Sequence, residues 1–451
     1  MFMSDPAGTL EMTAGAPAAI EEFMYRVARR PVSKLVALLP AADPPPTFEE
    51  IERLISRACL PVTMRQNASG SRIRALLQEP SGSRRFDVEI DLTEYLSKNL
   101  ELARLRGGDF DPALASQFFL SVSCKLGRDV LDSLHAQLRL LAALAPDAVA
   151  MLDLNAFHAK TGDWMRDAAS ASVPPAPTSF FSVHSVIDDD KKMWLHTHGL
   201  HRMGSIELDI FGARRRDAPA LTELINNVAR SFIDRGVPLP DTRFNAGNGL
   251  PLVWLPWEAA LQHVDGAPGG TADRDVDHAG ERGVLFAPAK DSPERLESPR
   301  CYVPVLEADP IFYVSSTETE RMQRLARERL PSFLALQSRF AKKRKWNFHV
   351  KLGLPTDGDG HRYCIEHGGD GGAEHLWFDV HKATAKSVDG TLLNQPYRIA
   401  SLREGQRGTF DLRLLTDWAI ESPRGRYTPE SVLQLERGLA NDRVSAPRLL
   451  N

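Results

Sequence analysis

The chain has 451 residues, 55 Lys and Arg against 59 Asp and Glu (net charge −4), and 43% hydrophobic residues. This ordinary globular balance has room for two to four cores and gives no footing to a chain built around nucleic acid or an anionic membrane. No apolar run approaches a membrane span, and the N-terminus lacks the basic-then-apolar pattern of a secretory signal, so a cytoplasmic location is expected. The four cysteines, Cys59, Cys124, Cys301 and Cys364, are scattered without a Cys-x-x-Cys pair, which predicts free thiols in a reducing compartment.

Residues 1–18, rich in Ala, Gly, Pro and Met, read as a disordered tail. An N-terminal α+β domain is expected over 19–172. It opens with one or two short helices over 19–39 and a proline break at 44–46. Thr47-Phe48-Glu49-Glu50 then forms a capping box for a helix with Ile51, Leu54, Ile55 and Ala58 on one face. Alternation at Ile73, Ala75 and Leu77 and again at Phe86, Val88, Ile90 and Leu92 predicts a hairpin turning at 80–83. A strand over 118–124, an amphipathic helix over 128–145 and a short strand over 149–154 follow. Helices and strands mix without strict alternation, which favours α+β over a doubly wound sheet.

Val173–Pro177, with three prolines in five residues, reads as a linker. A middle α+β domain is expected over 178–300, with strands at 180–187 and 192–198 around Asp188-Asp189-Asp190. A strand over 205–211, a helix over 221–234 and an exposed polar loop over 266–282 complete it. No Gly-rich phosphate loop, dinucleotide fingerprint or Gly-x-Ser-x-Gly elbow is present.

The sharpest chemical signal is Trp194-Leu195-His196-Thr197-His198-Gly199-Leu200-His201, followed by Glu207 and Asp209. On a strand His196 and His198 share a face, and a turn near Asp189 would bring His184 to the same face of the neighbouring strand. Three imidazoles, or two with a carboxylate, suit zinc with one position left over, and Glu207 or Asp209 would be ligand or general base. His196-x-His198 with Ser205 and Asp209 resembles the His-x-His-Pro…Ser-x-x-Asp signature of JAMM-type metallopeptidases. The match fails in detail, because Gly199 replaces the proline and three residues separate Ser205 from Asp209. The plainer reading is a strand–turn–strand with its histidines bonded to backbone and no cofactor.

The last third predicts a helix over 318–341 capped by Thr317 and broken at Pro331. The basic run Lys342–Lys345 at its end reads as a solvated helix terminus. Strands follow at 348–352 and 374–380, the second carrying Glu374, His375 and Trp377, and Asp357–Gly372 between them reads as a loop. Asp389-Gly390 is a tight-turn signal. The helix segment Ala326-x-x-x-Leu330-Pro331-x-Phe333 is followed by Phe348-x-Val350-Lys351 and then Glu374-His375-x-Trp377. Gly390-x-Leu392-x-Asn394-x-Pro396 and the late pair Asp417-Trp418 complete an ordered set that resembles the YegJ-like family of bacterial domains of unknown function. The resemblance covers residues 305–440. His196, Thr197, His198, Gly199, Leu200, Gly204, Glu207 and Leu208 also resemble a segment of uncharacterised bacterial proteins that end in such a domain. It implies a C-terminal domain rich in antiparallel strands, and no activity. His375 is expected to satisfy a hydrogen bond while Trp377 and Trp418 fill a small core.

The sequence therefore predicts an α+β protein of two or three domains, with mixed or antiparallel sheets and flanking helices. The expected function is non-catalytic binding of a protein or small molecule, with neither membrane nor nucleic acid as partner. A bacterial conflict or immunity role, masking a toxin, is one concrete form. The competing class is a metal-dependent hydrolase centred on His196 and His198.

Overall fold

The computed structural model describes residues 16–445, apart from 42–43, 59–60, 67–71, 80–81, 97, 99–100, 102, 104–109, 189, 264–267, 279, 293, 309–314 and 358–372. Most of the expected N-terminal tail, and all but Asp357 of the loop expected over 357–372, lie outside the described residues. So do Cys59 and Cys364, while Cys124 is buried and Cys301 exposed, and both are free thiols. The chain is a multidomain α+β protein of two compact units. The first takes residues 1–133, 151–159 and 176–313, the second 134–150, 160–175 and 314–451.

The first sheet runs over β1 (Ser33–Leu38), β2 (Val62–Gln66), β3 (Arg72–Glu79), β4 (Gly82–Leu92), β5 (Phe118–Cys124), β6 (Ala150–Asp153) and β7 (His158–Thr161). Its spatial order is β2-β3-β4-β5-β1-β6-β7. The expected β3–β4 hairpin is present in antiparallel register, Glu79 opposite Gly82. The capping box at Thr47 also forms, its hydroxyl accepting from Glu50 N–H while the Glu50 carboxylate accepts from Thr47 N–H. One expectation fails here. Residues 19–39 are not helical throughout: a helix covers Ala16–Ala28, but Ser33–Leu38 is an inner strand, Leu35 through Leu38 fully buried. A strand buried on both faces loses its period-two pattern and cannot be told from a helix by periodicity.

The second sheet comprises β8 (Ser182–Ile187), β9 (Lys192–His198), β10 (Glu207–Arg214), β11 (Phe244–Asn245), β12 (Pro251–Pro256), β13 (Arg282–Pro288) and β14 (Leu296–Glu297). The order is β11-β12-β13-β10-β9-β8, with β14 on β13. Its β10–β13 pair is parallel, while β8–β9, β9–β10 and β12–β13 are antiparallel. The helix Ala218–Arg235, entered through Pro219 in its first turn, lies between β10 and β11 in the chain and buries Leu221, Leu224, Ile225 and Val228. Trp194, Phe211, Val253, Leu255, Val284 and Phe286 form an apolar cluster. A buried cation joins the two sheets: Arg202 binds Asp153, Ser33 Oγ (3.0 Å), Asn155 Oδ1 (3.1 Å) and the Phe180 carbonyl (2.8 Å), which ties β1 and β6 to the segment entering β8.

The second unit carries β15 (Asn347–Pro355), β16 (Ala373–Ala383), β17 (Ser387–Leu392), β18 (Arg407–Asp411), β19 (Leu415–Ser422) and β20 (Gly425–Tyr427). These form an antiparallel sheet ordered β18-β17-β16-β15-β19-β20. The predicted helix is divided into Ser316–Glu328 and Leu330–Phe340, Pro331 lying in the first turn of the second piece, where its missing N–H costs nothing. Its cap is Ser315 rather than Thr317, the Ser315 hydroxyl accepting from Glu318 N–H. Asp389-Gly390 is not a turn. Gly390 lies inside β17, where a Cβ would come within 2.8 Å of the Asp379 carbonyl, so the glycine serves strand approach.

Trp418 anchors this core with no exposed surface, its Nε1–H donating to the Ala326 carbonyl at 2.9 Å. Trp418→Ala removes both the ring and that bond, and should destabilise the second unit by about 3–5 kcal/mol. A urea titration followed by circular dichroism checks this; an unchanged midpoint would contradict the role given to Trp418.

Candidate metal centre

Strand alternation and one tight turn place the histidines. The β8–β9 register sets His184 opposite His196 and Ser182 opposite His198, so the three imidazoles occupy one face of two adjacent strands. Gly199 follows at φ +106°, and a Cβ there would lie 2.7 Å from the Phe180 carbonyl, so the chain leaves β9 through a position that only glycine fits. On the other side of β9, Asp209 stands opposite His196.

His184, His196 and His198 each offer a nitrogen, and these three atoms lie within 4.8 Å of one another. A fourth histidine, His278, reaches the rim of the group: its Nε2 is 3.3 Å from Nε2 of His196. The Asp275 carboxylate, 2.8 Å from His278 Nδ1, accepts from it and leaves His278 Nε2 bare to accept from His196 Nε2. His196 Nδ1 is buried without a hydrogen-bond partner, a vacancy a ligand-binding role explains.

The surroundings hold His196, His198 and His278 neutral. Burial, reinforced by Arg282, His278 and His184, pushes His196 down to about 2. Burial lowers His198 as well, with His196 and Arg282 adding to it. His278 is lowered by burial, partly offset by Asp275. Neutral imidazoles keep the lone pairs that coordination uses.

The segment that carries His278 departs from the expected exposed loop over 266–282. Parts of it are exposed, but Arg274 and Arg282 fold inward onto Asp209, which has no exposed surface. Arg282 Nη2 donates to Asp209 Oδ1 at 2.9 Å and to the Thr197 carbonyl at 3.0 Å, while Arg274 Nη2 donates to Asp209 Oδ2 at 2.8 Å. The Arg274 guanidinium also stacks between Trp257 (4.3 Å) and Trp194 (4.8 Å). Two guanidiniums and two indoles so compensate for desolvation that a stretch rich in Gly and Asp packs onto the sheet.

Glu207 and Asp209, expected as ligand or base, are not brought into the histidine group. Asp209 is consumed by the two arginines, which hold its carboxyl below the usual range against the opposing effect of burial. Glu207 accepts from Thr197 Oγ1 (2.7 Å), Gly199 N–H (2.9 Å) and His201 N–H (3.0 Å), and so shapes the turn after β9. His278 was missed by sequence reasoning. Its one signal was Asp275 three residues earlier, and nothing in the spacing tied that pair to β9.

The motif residues of the second unit have other work. Glu374 accepts from the N–H groups of Tyr397 and Arg398, and Asn394 accepts from Trp377 N–H, which fixes the turn that holds buried Pro396. His375 pairs with the Thr416 hydroxyl at 3.2 Å. Trp377 does not join Trp418 in the core. It lies on the opposite face of the sheet, because side chains alternate along β16, and packs beneath Lys351 and Arg426. Beside it, Asp417 is pushed up to about 6 by burial, with Lys351 opposing.

Family models match three stretches. Residues 33–175 match "Protein of unknown function (DUF4026) N-terminal", and residues 183–286 match its C-terminal counterpart. Residues 334–444 match DUF2314, "Uncharacterized protein conserved in bacteria". The first ends within the proline-rich stretch at 173–177, and the second, beginning at 183, contains His184, His196 and His198. No curated protein matches the chain, and no solved structure does. Among the described residues no helix is long and apolar enough to cross a membrane.

Two outcomes follow. Asp209→Asn leaves two buried guanidiniums short of their charge partner and should cost about 3–5 kcal/mol, read as a lowered urea midpoint. Asp417 binds its proton more tightly folded than unfolded, so its contribution favours folding at low pH and is lost as pH rises from about 4 through about 6. Asp417→Asn should therefore raise stability at pH 7 by on the order of 1–3 kcal/mol and change it little at pH 4. A gain at both pH values would refute this assignment.

Proposed function

We propose that the first unit is a metal-dependent binding domain. Zinc held by His184, His196 and His198, with His278 at the rim, would present a cationic centre to an anionic group of a protein or small molecule. The observation that carries this is the convergence of three nitrogens from adjacent strands within 4.8 Å on one sheet face. An all-imidazole set adds no negative charge, so the ion's full double charge would remain available to a ligand. Asp209, shared between Arg274 and Arg282, cancels one of two nearby positive charges and leaves the other.

A second reading, a metal-dependent hydrolase, draws on the same trio, since three protein nitrogens and one remaining position are the pattern of catalytic zinc. Against it stands the engagement of Glu207 and Asp209, which leaves neither free as general base. We therefore favour binding. In this reading the stretch 305–440 is YegJ-like, the protein works in the cytoplasm, and masking of a toxin in bacterial conflict is the form of binding we put forward.

Protein purified without an affinity tag should contain about one zinc per chain, and the double variant His196→Ala/His198→Ala should contain almost none while keeping its circular dichroism spectrum. Elemental analysis decides it: wild-type protein free of metal after zinc supplementation retires the centre. Zinc-dependent hydrolysis in a broad ester, peptide and phosphate screen, absent from the double variant, would transfer the assignment to the hydrolase.

A further inference from the structure

Strand β8 ends the second sheet, and His184 lies on it. The hairpin bond from Asp188 N–H to Lys192 O sets the phase of the β8–β9 ladder. Counting back along the antiparallel register, residues 186, 184 and 182 exchange backbone bonds with β9. Val183, Ser185 and Ile187 then direct their N–H and C=O groups away from the sheet. Among the described residues no strand pairs with that edge.

Proteins defend such edges with lysine, proline, charge or bulges. The strand Ser182-Val183-His184-Ser185-Val186-Ile187 has none of the first three, and its pairing with β9 runs without a shift in register. Val186 and Ile187 are 39% and 51% exposed, apolar groups at the open end of the strand. An undefended row of backbone donors and acceptors beside a histidine group calls for an occupant with a backbone of its own.

We propose that the ligand of the histidine centre is an extended peptide segment of a partner protein, added to the sheet along β8. The inference rests on the zinc reading above and names its ligand class. A strand added here places one residue directly opposite His184, its side chain on the same face and its Cβ about 4.5–5.5 Å from that of His184. That residue is positioned to reach the ion. The centre's residual positive charge selects a carboxylate, so an Asp or Glu opposite His184 supplies the final ligand. Main-chain bonds at 183, 185 and 187 provide affinity that is indifferent to sequence, and the acidic side chain provides the choice of partner.

The test pans a phage library of linear dodecapeptides against the zinc-loaded full chain. Enriched peptides are expected to share an Asp or Glu at one position. Ser185→Pro deletes an outward N–H without touching the β8–β9 ladder, and should weaken those peptides more than tenfold while zinc content stays at the wild-type level. Val186→Lys installs an edge charge, acts in the same direction, and replaces the proline variant if that one does not fold. No enrichment over an uncoated control, or equal peptide affinity in a folded edge variant, overturns the proposal. So does a wild-type dimer in sedimentation that an edge variant dissociates, since the edge would then belong to a second copy. Peptide binding by protein that holds no metal overturns the zinc reading and leaves strand addition standing.

Discussion

The candidate site depends on a carboxylate that never meets it. Asp209 is wholly buried opposite His196 and has two guanidiniums on it, one from the first residue of β13 and one from the segment that precedes it. An isolated buried carboxylate would be expelled or protonated, and isolated buried arginines are nearly as costly. Together they are tolerated, and they draw Gly269, Arg274 and His278 down onto Trp194 and Phe211. Gly269 allows that approach, since a Cβ there would stand 2.7 Å from the Phe211 ring. Once Arg274 is stacked and Arg282 is bonded to the Thr197 carbonyl, Asp275 and His278 have little freedom left. The fourth imidazole is thus delivered by electrostatics acting several residues away.

How much of this the sequence disclosed varies with the range of the interactions involved. The His184–His196–His198 grouping was readable because a hairpin is local: a period of two and a turn at 188–191 are enough to put three side chains on one face. The capping box at Thr47 and the break at Pro331 were readable for the same reason. The fate of Asp209 and Glu207 was not. Both have the right chemistry and spacing for a ligand, and both are diverted by partners that tertiary structure supplies. Ser33–Leu38 failed differently, because complete burial erases the alternation that distinguishes a strand. Asp389-Gly390 carried a turn signal whose glycine is required for close packing between strands instead.

The second unit shows the same division between motif and role. Its recognisable residues, Glu374, Asn394 and Trp418, are accounted for by turn geometry and core packing. Lys351, Trp377 and Asp417 are gathered on the outer face of the sheet, where burial lowers the lysine and raises the carboxyl. A motif that identifies a fold does so largely through residues the fold itself needs.

The order of segments in the second unit bears on how the chain is made. Arg437, near the C-terminal end of the described residues, binds Asp163 at 3.2 Å and Asp167 at 2.8 Å, and Arg321 bonds to the Pro174 carbonyl at 3.1 Å. Residues synthesised early therefore wait for partners some 270 positions later. Contacts of such sequence separation slow folding and prolong exposure of unpaired apolar helix during synthesis. A ribosome that has released only the stretches matching the first two family models has made an unfinished domain. That topology leaves the early segments of the second unit without their partners until the C-terminal helix has been made.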